Sequence, residues 1–132
     1  MIGIARKVAM KHEIEAEFVV EDVEKLSFPE NSFDTVVSTL SLCSYFDPVT
    51  VLNQMNRWCR KDGQILLLEH GLSSYFSISL LQKGLNPLAH RMSGCHYNRD
   101  IMKMVEQSDI QIEKSERYWL DIIHLIWARP GS

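Results

Sequence analysis

The chain has 132 residues, 45% hydrophobic and 23% charged, a balance that suits one globular domain and excludes a disordered or fibrous polypeptide. A net charge of −3 gives no electrostatic footprint for nucleic acid, so no such partner is expected. Cys43, Cys59 and Cys95 are odd in number and widely spaced. They indicate neither a disulfide framework nor a zinc site, which favours a reducing, intracellular setting and no bound metal.

Residues 1–12 carry apolar side chains at helical spacing with basic residues between them, which predicts a surface helix. Residues 17–20 are short, β-branched and aromatic, suiting the end of a strand. A turn-rich approach, Pro29-Glu30-Asn31-Ser32, leads to Phe33, and residues 35–42 (TVVSTLSL) read as a strand buried on both faces. Asp47-Pro48 predicts a helix start, because the carboxylate accepts orphan N–H groups and proline is preset for the first helical position. Val49, Leu52, Met55 or Asn56, and Cys59 mark one face of that helix. Arg57, Arg60 and Lys61 crowd its expected last turn, and Asp62-Gly63 is expected to end it. Residues 64–69 (QILLLE) predict a second buried strand, so that strand, helix and strand form a βαβ unit in a partly parallel sheet.

Residues 72–92 mix apolar and small polar side chains around Gly84 and Pro87, predicting a broken helix plus loop that covers the sheet. A substrate lid or a membrane-surface patch is the alternative. No apolar run approaches the ~18 residues of a membrane span. Asn98 is placed to cap a helix over residues 99–107, and residues 110–118 and 120–128 predict a closing antiparallel pair. Trp58, Trp119 and Trp127 fall within predicted elements and are expected to pack.

In order and spacing, residues 18–70 resemble the middle and later part of the class I S-adenosylmethionine-dependent methyltransferases, of the methyltransferase type 11 group. The residues that carry the resemblance are VVEDVEKLSFP, the FD pair Phe33-Asp34, the strand ending LCS, the Lys-Asp-Gly turn and LLLEH. Together with GCHYNRD at residues 94–100, they are similar to a subgroup of methyltransferase-like thiol methyltransferases and a fungal mitochondrial methyltransferase-like protein. The resemblance implies an α/β fold: the C-terminal part of a Rossmann-like methyltransferase sheet, with parallel strands, a closing antiparallel pair, and the first two strands missing. No two of the six glycines are closely spaced, so the family's glycine-rich cofactor loop has no counterpart, and an N-terminally truncated domain is the expectation. In the family's strand order, 3-2-1-4-5-7-6, losing the first two opens a gap of roughly 14 Å at ~4.8 Å per strand. It also bares a strand edge to a partner chain or a second copy.

What the resemblance implies for the site follows the rule that ligands of open α/β sheets lie at the carboxyl ends of the strands. Asp22 would accept the adenine amino group of S-adenosyl-L-methionine, with the backbone of Val23 beside it. An isolated Asp there is otherwise a solvated turn acid. Thr39, Leu40 and Ser41 would face the methionine part. Glu69, Cys95 and His96 would line the substrate site, although the adjacent Cys95 and His96 need not face each other. His70 suits a general base, being the side chain whose ordinary pKa lies near neutrality; a structural strand-end histidine is the plainer alternative. The implied activity is methyl transfer to a small-molecule acceptor, a thiol or a quinone-like ring. The rival is a non-catalytic interaction module whose sheet a partner chain completes. Localisation is expected to be intracellular, cytoplasmic or mitochondrial.

Overall fold

In the computed structural model, residues 2–70, 76–93 and 100–131 are described. The elements are α1 (Ile2–Lys11), a 3-10 turn (Val23–Lys25), β1 (Phe33–Thr39), α2 (Pro48–Trp58), β2 (Cys59–His70), α3 (Phe76–Ser93), α4 (Ile101–Gln107), β3 (Gln111–Tyr118) and β4 (Ile123–Arg129). They build a four-stranded sheet in the order β1-β2-β4-β3. β1 and β2 are parallel, with α2 as their crossover, and the other pairings are antiparallel. This is the expected α/β arrangement with its closing antiparallel pair.

The core lies on one face of the sheet. Along β2, Ile65, Leu67 and Glu69 are buried while Leu66, Leu68 and His70 are half-buried, the period of two that a pleated strand imposes. Cross-strand partners extend the buried row: Ser38 opposes Leu67 on β1, and Leu67, Glu69 and Ile65 oppose Ile126, His124 and Ala128 on β4. Val51, Leu52, Met55 and Trp58 of α2, at helical spacing, join Ile101 and Val105 of α4 against this row. Burying each large apolar side chain contributes about 1.5–3 kcal/mol. Phe28 stacks edge-on to both Trp58 and Phe33, with ring centroids 5.1 Å apart in each pair. On the opposite face Val37 is 61% exposed.

Several expectations are corrected. Residues 17–20 form no strand; with no ladder to join, Val19 and Val20 stay exposed. β1 ends at Thr39 and is not buried on both faces: only Ser38 of its residues is buried, on the face where the described core packs, and the strand pairs only with β2. α2 ends at Trp58 and β2 begins at Cys59, so only Arg57 lies in the helix's last turn. The Lys-Asp-Gly turn is instead part of an irregularity in β2, where Phe33 pairs with Cys59 but Thr35 with Gln64. Gly63 makes this possible, since a Cβ there would lie 2.3 Å from the Asp34 carbonyl oxygen. Arg60 bonds Asp34 at 2.9 Å on the surface.

α4 is capped by Asp100, which accepts from the Lys103 amide at 3.1 Å; Asn98 lies outside the described residues. α3 runs through Pro87, and Leu80, Leu81, Leu85 and Leu88 are exposed rather than covering the sheet. Among the described residues no helix is long and apolar enough to cross a membrane. β4 starts at Ile123, because residues 119–121 all adopt positive φ in the hairpin turn. That turn leaves Trp119 81% exposed, not packed as expected.

Candidate functional site

Because β1 and β2 are parallel, their carboxyl ends emerge on the same side, and the segments that follow them form one rim. The ladder runs one residue past β1, where the Leu40 amide donates to the Leu68 carbonyl at 2.8 Å. Leu40 has a φ of 51°, a conformation that costs a branched residue about 1 kcal/mol or more. It turns the chain into a short bend in which the Ser44 amide and hydroxyl donate to the Ser41 carbonyl at 3.1 and 2.8 Å. Asp47 then caps α2 by accepting from the Thr50 amide at 3.2 Å.

Beneath this bend lies Glu69, fully buried. Its Oε1 accepts the Ser38 hydroxyl at 2.5 Å, and its Oε2 accepts the Ser41 and Leu42 amides at 2.9 and 3.2 Å. Ser38 and Ser41 hydroxyls are also 2.9 Å apart. A serine has one O–H; with that of Ser38 given to Glu69, the Ser41 hydroxyl is the donor to Ser38. Burial pushes the Glu69 pKa up, opposed by the hydrogen bonds from Ser38, Leu42 and Ser41. Expected to line a substrate site, Glu69 therefore sits under the rim, its carboxylate spent on the loop above it.

His70 is the last residue of β2, half-buried, and burial lowers its pKa. Asp22 lies before the 3-10 turn and caps it, accepting the Glu24 amide at 3.0 Å. That turn is tied to the rim, because Glu24 accepts the Phe46 amide at 2.6 Å, while Val23, Leu26 and Phe28 pack on the core. The structure thus brings the turn holding Asp22 and Val23 beside the segment that follows Thr39, Leu40 and Ser41. Cys95 and His96 lie outside the described residues. Among the described residues no cluster suits a metal ion, and Cys43 and Cys59 are buried.

Sequence reasoning passed over Ser38, Glu24 and the hairpin turn. Trp119 of that turn and Tyr118 at the end of β3 join Leu40, Leu68 and Ile123 around an open apolar cleft of about 380 Å³ at the same rim. Ser38 carried a signal, being a hydroxyl in an otherwise apolar strand three residues before Ser41; Trp119 carried none that separates a hairpin tip from a strand.

The donor set offers a test of fit to S-adenosylmethionine. The Asp22 carboxylate accepts one backbone N–H and lies 4.0 Å from the Lys25 ammonium. An ionised carboxylate has about four acceptor positions, so capacity remains for an amino group. Asp22, Thr39 and Leu40 are exposed and Ser41 is half-buried, as an accessible ligand edge requires. The spare acceptor capacity of Asp22 and the accessibility of Thr39, Leu40 and Ser41 are compatible with the adenine and methionine ends of the cofactor.

Comparison with known proteins gives the following. Residues 1–67 match the family model described as "Methyltransferase domain". The chain is 34% identical over 100 residues to the mitochondrial methyltransferase OMS1 of Saccharomyces cerevisiae, covering 74% of this chain and 21% of that protein. It is 35% identical over 98 residues to the thiol S-methyltransferase TMT1B of Rattus norvegicus, covering 70% of this chain and 39% of that one. The chain thus spans well under half the length of these relatives. In fold it is similar to a SAM-dependent methyltransferase from Aquifex aeolicus, with a TM-score of 0.65 at 12% identity, covering 96% of this chain and 61% of that one. At that identity the likeness is one of fold alone.

Proposed function

Because this chain belongs to the methyltransferase-domain family, class I and S-adenosylmethionine-dependent, we propose that it forms one wall of an enzyme that methylates a small-molecule acceptor, a thiol or a quinone-like ring. The observation that carries this reading is the joining of the Asp22 turn to the carboxyl rim of β1 and β2 through Glu24 and Phe46, within a chain whose first half matches the family. The name of the rat relative, a thiol S-methyltransferase, supports the thiol as one such acceptor.

In this proposal Asp22 and the Val23 backbone hold adenine, and Thr39, Leu40 and Ser41 border the methionine part. When bound, S-adenosylmethionine supplies an electrophilic methyl group on a sulfonium. His70 takes the acceptor's proton: burial holds its pKa below the usual histidine value, so the imidazole is neutral at physiological pH and able to accept. A thiol needs little beyond deprotonation, and the rest of the rate comes from alignment. Cys95 and His96 complete the acceptor lining, and the setting is intracellular, cytoplasmic or mitochondrial.

A second reading, a non-catalytic interaction module, is favoured by one observation: β1 is an edge strand beside an open sheet face on which Val37 is exposed. There a partner chain or a second copy would pair. Isothermal titration of the purified chain with S-adenosylmethionine separates the two. Binding that weakens about tenfold in Asp22→Ala, the scale of one hydrogen bond to a charged group, supports the enzyme reading. No detectable binding by the wild-type chain, together with a stable hetero-complex, overturns the enzyme reading in favour of the module.

A further inference from the structure

The Leu40–Leu42 bend has an unusual support. A buried carboxylate is costly unless its lone pairs are used, and Glu69 uses its own on three donors from one short stretch: the hydroxyl of Ser38 and the amides of Ser41 and Leu42. The two amides belong to the bend itself, and the Ser41 hydroxyl, through Ser38, leads back to the same carboxylate. One strand thus grips the loop leaving its neighbour by side-chain contacts, immediately beyond the point where the backbone ladder ends at Leu40 and Leu68. The positive φ of Leu40 is unfavourable by itself and persists where the surroundings over-determine it. The Leu40 amide bond to β2 on one side and the Glu69 grip on the other supply that determination.

We propose that Glu69 is a positioning residue, which sets the Leu40–Leu42 bend in the conformation the cofactor meets, with Ser38 as its second contact. This rests on the reading that Thr39, Leu40 and Ser41 border S-adenosylmethionine. Glu69 touches no reacting group; it acts through the bend. A leucine in its place keeps the bulk and orphans both amides. A glutamine keeps the shape: its oxygen accepts the two amides, and its NH₂ donates to the Ser38 oxygen, whose hydroxyl then turns to Ser41.

The test compares the full wild-type chain with Glu69→Leu, Glu69→Gln and Ser38→Ala. Amide hydrogen exchange is read at Ser41 and Leu42 against Ile65 and Leu67, and affinity for S-adenosylhomocysteine is read by titration. Exchange at Ser41 and Leu42 is expected to accelerate about tenfold or more in Glu69→Leu, with Ile65 and Leu67 much less affected and affinity about tenfold weaker. Glu69→Gln is expected to restore both to within about threefold of wild type, and Ser38→Ala, which keeps the carboxylate should Glu69→Leu not fold, to fall between. Unchanged exchange at Ser41 and Leu42 in Glu69→Leu and Ser38→Ala overturns the positioning role, as does unchanged affinity in a variant whose bend has loosened. If the wild-type chain takes up no S-adenosylhomocysteine, the functional reading fails instead, and the exchange arm still decides whether Glu69 holds the bend.

Discussion

Leu67→Ala and Val37→Ala remove methyl groups from adjacent strands of the same sheet but from opposite faces. Leu67 is fully buried at the centre of β2, between Ser38 on β1 and Ile126 on β4. Its truncation loses the transfer free energy of the removed carbons and leaves a cavity among rigid neighbours, at a cost of about 3–4 kcal/mol. For a domain of this size that lowers the thermal midpoint by roughly 10–15 °C. Val37 is 61% exposed, and its truncation should cost about 0.5 kcal/mol. Urea denaturation followed by circular dichroism, fitted with a common slope, measures both. Comparable losses for the two variants would refute the one-sided core, because Val37 would then have to be covered in solution.

Two further outcomes follow from charged groups. Glu69 has a pKa raised in the folded chain above its ordinary 4.5, so its contribution to stability is fully present below that pH and is lost as pH rises through the raised value. The stability of wild type minus that of Glu69→Gln, measured by urea midpoints from about pH 4 to 8, should therefore fall as pH rises. A flat or rising difference contradicts the burial argument. Asp47 caps α2 through the Thr50 amide and hydroxyl, and Asp47→Ala should cost about 1 kcal/mol at neutral pH. The Thr50 bonds hold the Asp47 carboxyl below its ordinary 3.8, so its cap is present above that pH and is lost as pH falls through the lowered value. An Asp47→Ala midpoint equal to wild type at neutral pH would contradict the cap.

What was legible in the residues was local. Asp47-Pro48 announces the start of α2 because capping is a property of a few consecutive residues, and the apolar run in QILLLE announces β2 as a strand, although it does not show the alternation of burial along it. The end of α2 was misread because a Lys-Asp-Gly sequence suits a helix stop and a strand irregularity equally well; only the approach of the Asp34 backbone to Gly63 separates them. Residues 17–20 have strand-like side chains, but a strand is made by its neighbour. The position of Asp22 near the rim followed from the family resemblance rather than from spacing. The direction of the Glu69 side chain was not legible, since alternation says that residues 65, 67 and 69 share a face and not which face the helices cover.

The strand order carries a consequence for how the polypeptide matures on the ribosome. β4 occupies an interior place between β2 and β3, although it is the last of the four to be synthesised. Ile126 and Ala128, which close the buried row over β2, emerge only after α1 to α4 are already out. Until then the edge of β2 that β4 will occupy has unsatisfied hydrogen-bonding groups, open to foreign pairing while the segment between β2 and β4 is being made.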